Sequence, residues 1–192
     1  MRIAHILRKY NPAEWGGTET AVKQLLDGLN EQDVTGCVYC PRLDEPVRRD
    51  PLKEAGHEVK RYRAFIPVFN LSPEQEQQLV AVGGNLMSLD LPARLLAERG
   101  LSVIHSHALN RIGGIALTVA RMRKLPFVVT IHGGVLDLPK SVQQTLSAPL
   151  EGGYEWGRIF GAIFHSRDVL KKADAIITCN PREAELQRQK FP

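Results

Sequence analysis

No apolar run in this sequence approaches the ~18 residues that a membrane-spanning helix requires. Met1 leads into a strand-like segment without the basic and apolar regions of a secretory leader, so a cytoplasmic protein is expected. Cysteine is scarce: Cys37, Cys40 and Cys179 are the three. A chain of 192 residues can bury roughly 70% of its unfolded surface and needs no disulfide or metal staple. Cys37 and Cys40 have C-x-x-C spacing, but no second ligand pair accompanies them, and both lie in the apolar stretch TGCVYCP, which reads as a buried strand. Aromatic residues make up only 6%, and the net charge of +4 is the residue of interleaved charges. Arg42, Arg48, Arg49 and Lys53, for example, alternate with Asp44, Glu45, Asp50 and Glu54. That pattern suits a solvated surface, so no nucleic-acid partner is expected. Mild attraction to anionic substrates, or to the inner face of an anionic membrane, stays open. The sequence also lacks a G-x-G-x-x-G dinucleotide fingerprint, a G-x-x-x-x-G-K-[ST] loop and a G-x-S-x-G elbow.

What is present is alternation. Short apolar runs at 2–7, 34–40, 57–62, 101–105, 126–131 and 175–178 read as strands. Between them, helices are expected at 17–31, 52–55, 73–100 (broken near Gly83 and Gly84), 110–124, 154–172 and from Pro181 onward. Strands alternating with helices predict an α/β, doubly wound, Rossmann-like parallel sheet with helices on both faces. The spacing suits strand order 3-2-1-4-5-6 with right-handed crossovers. No internal repeat or low-complexity linker divides residues 1–192, so one domain is expected.

Ligands of such sheets bind outside the carboxyl ends of the strands, where the strand order reverses. Strand one is followed by the loop RKYNPAEWGG, which delivers Gly16 and Gly17 to a helix N-terminus. Glycines there let a phosphate approach free N–H groups and the positive end of the helix dipole. A tight turn needing positive φ is the equal alternative. Strand four ends in His105 and His107, strand five in His132, Gly133 and Gly134, and strand six in Asn180. His105 and His107 stand at i and i+2 and share a face. Two such imidazoles could open a metal site, but no third ligand with suitable spacing follows them, so no metal is expected. His132, directly after FVVTI, is placed to donate a hydrogen bond to a sugar hydroxyl or a phosphate; tying down its own loop is the plainer use.

These segments carry a resemblance. GGTE (16–19), IHSH (104–107), VVTIHG (128–133) and ADAIITCNPREAE (173–185), in this order and spacing, resemble the N-terminal domain of the retaining, GT-B-fold glycosyltransferases of family 4, also called group 1. LKEAGHEV (52–59) looks like that family's entry into its third strand. The resemblance implies transfer of a sugar from a nucleoside diphosphate sugar, with retention, to a carbohydrate or lipid acceptor, without metal or cofactor. It implies that Gly16 and Gly17 lie against the donor diphosphate or near the acceptor. His132 would be the catalytic histidine that contacts the transferred sugar. It further suggests substrate contacts for His105 and His107, a loop-orienting or acceptor-binding role for Glu19, and acceptor contacts for Tyr10, Asn11 and Trp15. Pinning the loop to the core is the alternative use of Trp15. The family's second, donor-binding domain has no counterpart in these residues. The chain then reads as the acceptor-side piece of a longer, truncated enzyme, inactive alone, with a natural half-enzyme that pairs with a second polypeptide as the alternative. A rival is a non-catalytic binding or scaffolding module, with AFIPVFNL (64–71) as docking patch if Phe65 and Phe69 are exposed. A sugar-nucleotide epimerase would need paired carboxylates at the strand ends, and none stand out.

Overall fold

The computed structural model describes residues 1–43, 47–70, 72, 74, 86–133, 154–156 and 158–191. In chain order the elements are β1 (Arg2–Ile6), a 3-10 turn (Pro12–Glu14), α1 (Gly17–Asn30), β2 (Thr35–Pro41), α2 (Pro51–Glu54) and β3 (Glu58–Tyr62). There follow β4 (Val68–Phe69), α3 (Leu91–Ala97), β5 (Leu101–Ser106), α4 (Asn110–Met122) and β6 (Phe127–Ile131). β7 (Tyr154–Glu155), α5 (Arg158–Ile163), β8 (Ala175–Thr178) and α6 (Pro181–Lys190) complete the set.

Six strands form one sheet in the order β3-β2-β1-β5-β6-β8, every pair parallel. With the two-residue strands β4 and β7 set aside, this is the expected 3-2-1-4-5-6. The strand order reverses between β1 and β5, and the carboxyl ends of such neighbours are where sheets of this kind bind ligands. Alternation along β1 builds both layers. Ala4 and Ile6 face the larger apolar cluster with Ile104, Ile112, Ile115, Ala116 and Phe127. Leu7 lies on the opposite face, with Val22 and Leu26 of α1, Val38 and Cys40. Leu26 and Val22 are fully buried, and each such side chain stabilises the fold by roughly 1.5–3 kcal/mol. The buried-strand reading of Cys37 and Cys40 agrees with their position: both are free, buried thiols in β2.

Two close approaches depend on glycine. A Cβ on Gly36 of β2 would stand 2.1 Å from Leu26 Cδ2 and 3.3 Å from His5 Cδ2, so its absence lets α1 settle over the sheet and leaves room for the His5 ring. A Cβ on Gly114 of α4 would stand 2.4 Å from the Phe164 carbonyl oxygen and 2.8 Å from Ser166 Cα. There α4 meets backbone, not side chain, and no rotamer change could relieve a clash.

The region 154–172 departs from expectation. In place of one helix it holds β7, the short α5 and a run of turns. His165 adopts φ 51°, and the Ser166 N–H and hydroxyl both donate to the Gly161 carbonyl oxygen at 2.9 Å, which ends the helix. β7 pairs antiparallel with β4, a small ribbon that the sequence reading did not foresee. The break expected near Gly83 and Gly84, and Gly134 itself, lie outside the described residues.

Candidate active site

The site is built by register. His5 of β1 pairs with His105 of β5, and His105 with Val128 of β6. Period-two alternation then puts His5, His105, His107, Thr130 and His132 on one face of the sheet, at its carboxyl end. His107 lies beyond β5, yet its N–H donates to the Ile6 carbonyl at 2.8 Å, which holds it in the ladder.

Four imidazoles consequently touch. His5 Nδ1 shares a hydrogen bond with His107 Nε2 at 3.1 Å, and His107 Nδ1 with His132 Nε2 at 2.8 Å. His105 Nε2 is 2.6 Å from Thr130 Oγ1. The His105 and His107 rings lie 4.2 Å apart, and the His107 and His132 rings stack at 5.0 Å. Burial is the first reason that all four stay neutral, since a charged imidazole there would lose its hydration. It pushes His5 down to about 3, helped by His105 and His57, and His105 down to about 4, helped by His132. His107 falls well below the ordinary histidine range through burial and then through His105, His5 and His132. His132, at the surface end, is also lowered by burial, while the Glu19 carboxylate opposes that shift.

Glu19 joins the first loop to this cluster. Its Oε2 accepts the Gly16 N–H at 3.1 Å, and the same carboxylate acts electrostatically on His132. Gly16, in the loop after β1, and His132, directly after β6, both lie at the carboxyl edge of the one parallel sheet. Gly16 has φ −135° and ψ −166°, extended backbone open to any residue, so positive φ does not explain the glycine there. As the residue preceding α1 it offers no side-chain cap to the first-turn N–H groups. A Cβ on Gly17 would meet nothing within 4 Å, so this helix start is open to approach.

The other loop residues behave differently. Tyr10 is buried and its hydroxyl donates to Asp50. Trp15 donates through Nε1 to Thr20 Oγ1 at 2.8 Å, meets Tyr10 edge-on and packs against the smaller core cluster; this is the loop-pinning use. Asn11 caps the 3-10 turn by accepting the Ala13 N–H at 3.1 Å, and donates to Glu14 at 3.2 Å. Asn180 caps α6 by accepting the Arg182 N–H.

Two residues were missed. His5 brings the third imidazole that His105 and His107 had seemed to lack: ligand atoms of the three all lie within 4.8 Å of one another. Such a trio is a donor set that zinc or copper accepts. Here His107 uses both nitrogens on its neighbours and His105 uses Nε2 on Thr130, so an ion would have to displace those bonds. The signal for His5 was present, because its parity in strand one matches that of His105 once the two strands are set side by side. Arg8, just past β1, keeps Nη1 buried with no hydrogen-bond partner, and burial lowers its pKa. In the segment 64–71, Phe69 is 56% exposed but Phe65 is only partly so, and Trp156 stacks on both at 5.7 and 5.9 Å respectively.

The fold recurs in solved glycosyltransferase structures. Sucrose-phosphate synthase from Thermosynechococcus elongatus matches at TM-score 0.53 and 18% identity, over 99% of this chain and 45% of that one. LpCGTa in complex with UDP matches at TM-score 0.54 and 15% identity, over 100% of this chain and 49% of that one. The chain thus spans about half the length of these proteins, and at such identities the likeness concerns the fold. No curated protein sequence matches the chain. The model of the glycosyl transferase 4-like domain matches residues 16–192, from Gly16 at the open helix start to the last residue. The chain belongs to the glycosyl transferase 4-like domain family, on a Rossmann-like α/β fold of the GT-B type.

Proposed function

We propose that this chain is the acceptor-side domain of a retaining glycosyltransferase, which moves a sugar from a nucleoside diphosphate sugar to a carbohydrate or lipid acceptor. The observation that carries the reading is the shared carboxyl edge of one parallel sheet: the Gly16 loop, held by Glu19, follows β1, and His132, held by His107, follows β6. In this reading Gly16, Gly17, Glu19 and His132 serve substrate together at the carboxyl edge of the sheet. His132 is the group set toward the transferred sugar, and the open start of α1 faces the leaving phosphates or the acceptor. Transition-state stabilisation by N–H groups, a helix dipole and an imidazole needs no bond to be made to the protein. Glu19 weighs on the choice of ligand at the glycines: a carboxylate beside the first turn disfavours a second anion there. A hydroxyl of the acceptor suits that position better than a phosphate.

Donor selection falls to a second domain, and closure of the two would exclude water, so that sugar passes to the acceptor rather than to hydrolysis. A transfer assay over a panel of nucleoside diphosphate sugars tests the reading, run on this chain alone and on the chain extended through its second domain. The expected result is turnover by the extended protein only, with the anomeric configuration kept. Turnover by the chain alone, or an inverted product, would contradict it. The exposed Phe69 supports a second reading, in which the Phe65–Trp156–Phe69 stack rests on a partner or a lipid surface. Binding to anionic vesicles that vanishes in Phe69→Ser would establish that contact.

A further inference from the structure

His5 Nε2 is buried and has no hydrogen-bond partner. From that ring a line of hydrogen bonds runs outward, His5 Nδ1 to His107 Nε2 at 3.1 Å and His107 Nδ1 to His132 Nε2 at 2.8 Å. It ends at His132 Nδ1, on the half-buried ring beside the glycine loop.

A neutral imidazole carries its proton on one nitrogen and accepts with the other. Each hydrogen bond in the line needs a single proton between its two nitrogens. If His107 is protonated at Nδ1, it donates to His132 Nε2, and His132 must keep its own proton on Nδ1. His107 Nε2 then accepts, so His5 donates from Nδ1. If His107 is protonated at Nε2, the same reasoning forces Nε2–H on all three. Any mixed pattern would set two lone pairs or two N–H groups against each other. The three rings therefore have two common states and no others, and the state decides whether His132 Nδ1 meets the substrate as a donor or as an acceptor.

We infer that His5 and His107 are positioning residues that hold His132 as the Nδ1–H tautomer, so that it offers its substrate a hydrogen-bond donor. One observation chooses between the states. With Nε2–H throughout, His5 would bury an N–H without an acceptor, beside Gly36 and the Leu26 side chain, which folded proteins rarely keep. The Nδ1–H state leaves only a bare lone pair at that place. Burial of the rings against one another keeps them neutral, as the scheme requires. Free histidine prefers the Nε2–H form, so an Nδ1–H His132 is a state that only these surroundings would impose. The partner atom on the substrate is then an acceptor: a hydroxyl oxygen, ring oxygen or phosphoryl oxygen, and not a bare N–H or ammonium group.

The inference rests on His132 as the substrate-facing side chain, but its test needs no substrate. The full chain, labelled with ¹⁵N in its histidine rings, is studied at neutral pH by long-range ¹H–¹⁵N correlation, which distinguishes the protonated nitrogen of each ring. The expected spectrum has the proton on Nδ1 in His5, His107 and His132 alike. In His107→Phe the line is cut, and the His132 proton should move mainly to Nε2; His107→Leu serves as second variant if the first does not fold. Nε2–H at His132 in the unmodified chain, mixed tautomers along the line, or a His132 unchanged in either folded variant would overturn the inference. The unmodified chain decides the tautomer by itself, whatever the variants do. Nε2–H at His132 with turnover intact in the extended enzyme would sink the relay and spare the functional reading, and Nδ1–H without turnover would do the reverse.

Discussion

Glu19→Ala perturbs both sides of the candidate crevice at once. The Gly16 N–H loses its charged acceptor at 3.1 Å, and the first turn of α1 loses a carboxylate that complements its dipole. Glu19 is 8% exposed, so water replaces it poorly. A cap of this kind contributes about 2 kcal/mol. For a chain of this size each kcal/mol moves the melting temperature by roughly 2–4 °C, so a fall of roughly 4–8 °C is expected by calorimetry or circular dichroism. Glu19→Gln keeps an acceptor and removes only the charge. It should cost about 0.5–1 kcal/mol, in the range of dipole effects. Both variants share a second readout: without the carboxylate that raises it, the His132 pKa should fall further below its ordinary value. Ring NMR titration follows that directly. If Glu19→Ala melts with the unmodified protein and His132 titrates unchanged, Glu19 does not join the glycine loop to the histidines, and the crevice as described does not exist.

Acid should weaken the fold before its carboxylates begin to titrate. His5 and His105 are held down to about 3 and about 4 in the folded chain, and His107 well below its ordinary value, while each returns to about 6.5 when unfolded. Folded pKa values below unfolded ones give stability that is complete above pH ~6.5 and lost as pH falls toward the folded values. Each histidine adds about 1.4 kcal/mol per pH unit. Urea unfolding between about pH 7 and about pH 5, above the carboxylate range, should show stability falling with pH; a flat or rising one would contradict the buried neutral cluster. The thiols offer a simpler check. Burial pushes Cys37 and Cys40 up to about 12, whereas Cys179 is exposed, so a thiol reagent at neutral pH should modify Cys179 alone in the folded chain and all three in urea. Fast modification of Cys37 or Cys40 without denaturant would contradict the position of β2 in the core.

The sheet was legible because each buried strand is a short apolar run closed by polar or glycine residues, and parallel topology follows from the helices between them. The position of the first-loop glycines and His132 beyond strand carboxyl ends was legible from the strand boundaries. His5 was not, because it sits inside an apolar run and becomes a neighbour of His105 only through the β1–β5 register. Long-range pairing of that sort leaves no local mark in a sequence. Trp15 suits an acceptor contact or a loop pin equally well by sequence, and Tyr10 an acceptor contact; the hydrogen bonds to Thr20 and Asp50 are tertiary facts. The helix expected over 154–172 ended early for a local reason that composition hides, a left-handed histidine at 165. The β4–β7 ribbon depends on two-residue strands, too short to carry a period.

The central claim is that His132 stands against the reacting sugar beside the Gly16 helix start. Steady-state kinetics of His132→Ala in the protein extended through its second domain tests this most directly. Loss of one preorganised donor should lower kcat by about 10²–10³-fold, with the melting temperature little changed because the ring is half-exposed. A kcat within about twofold of the unmodified enzyme would contradict it.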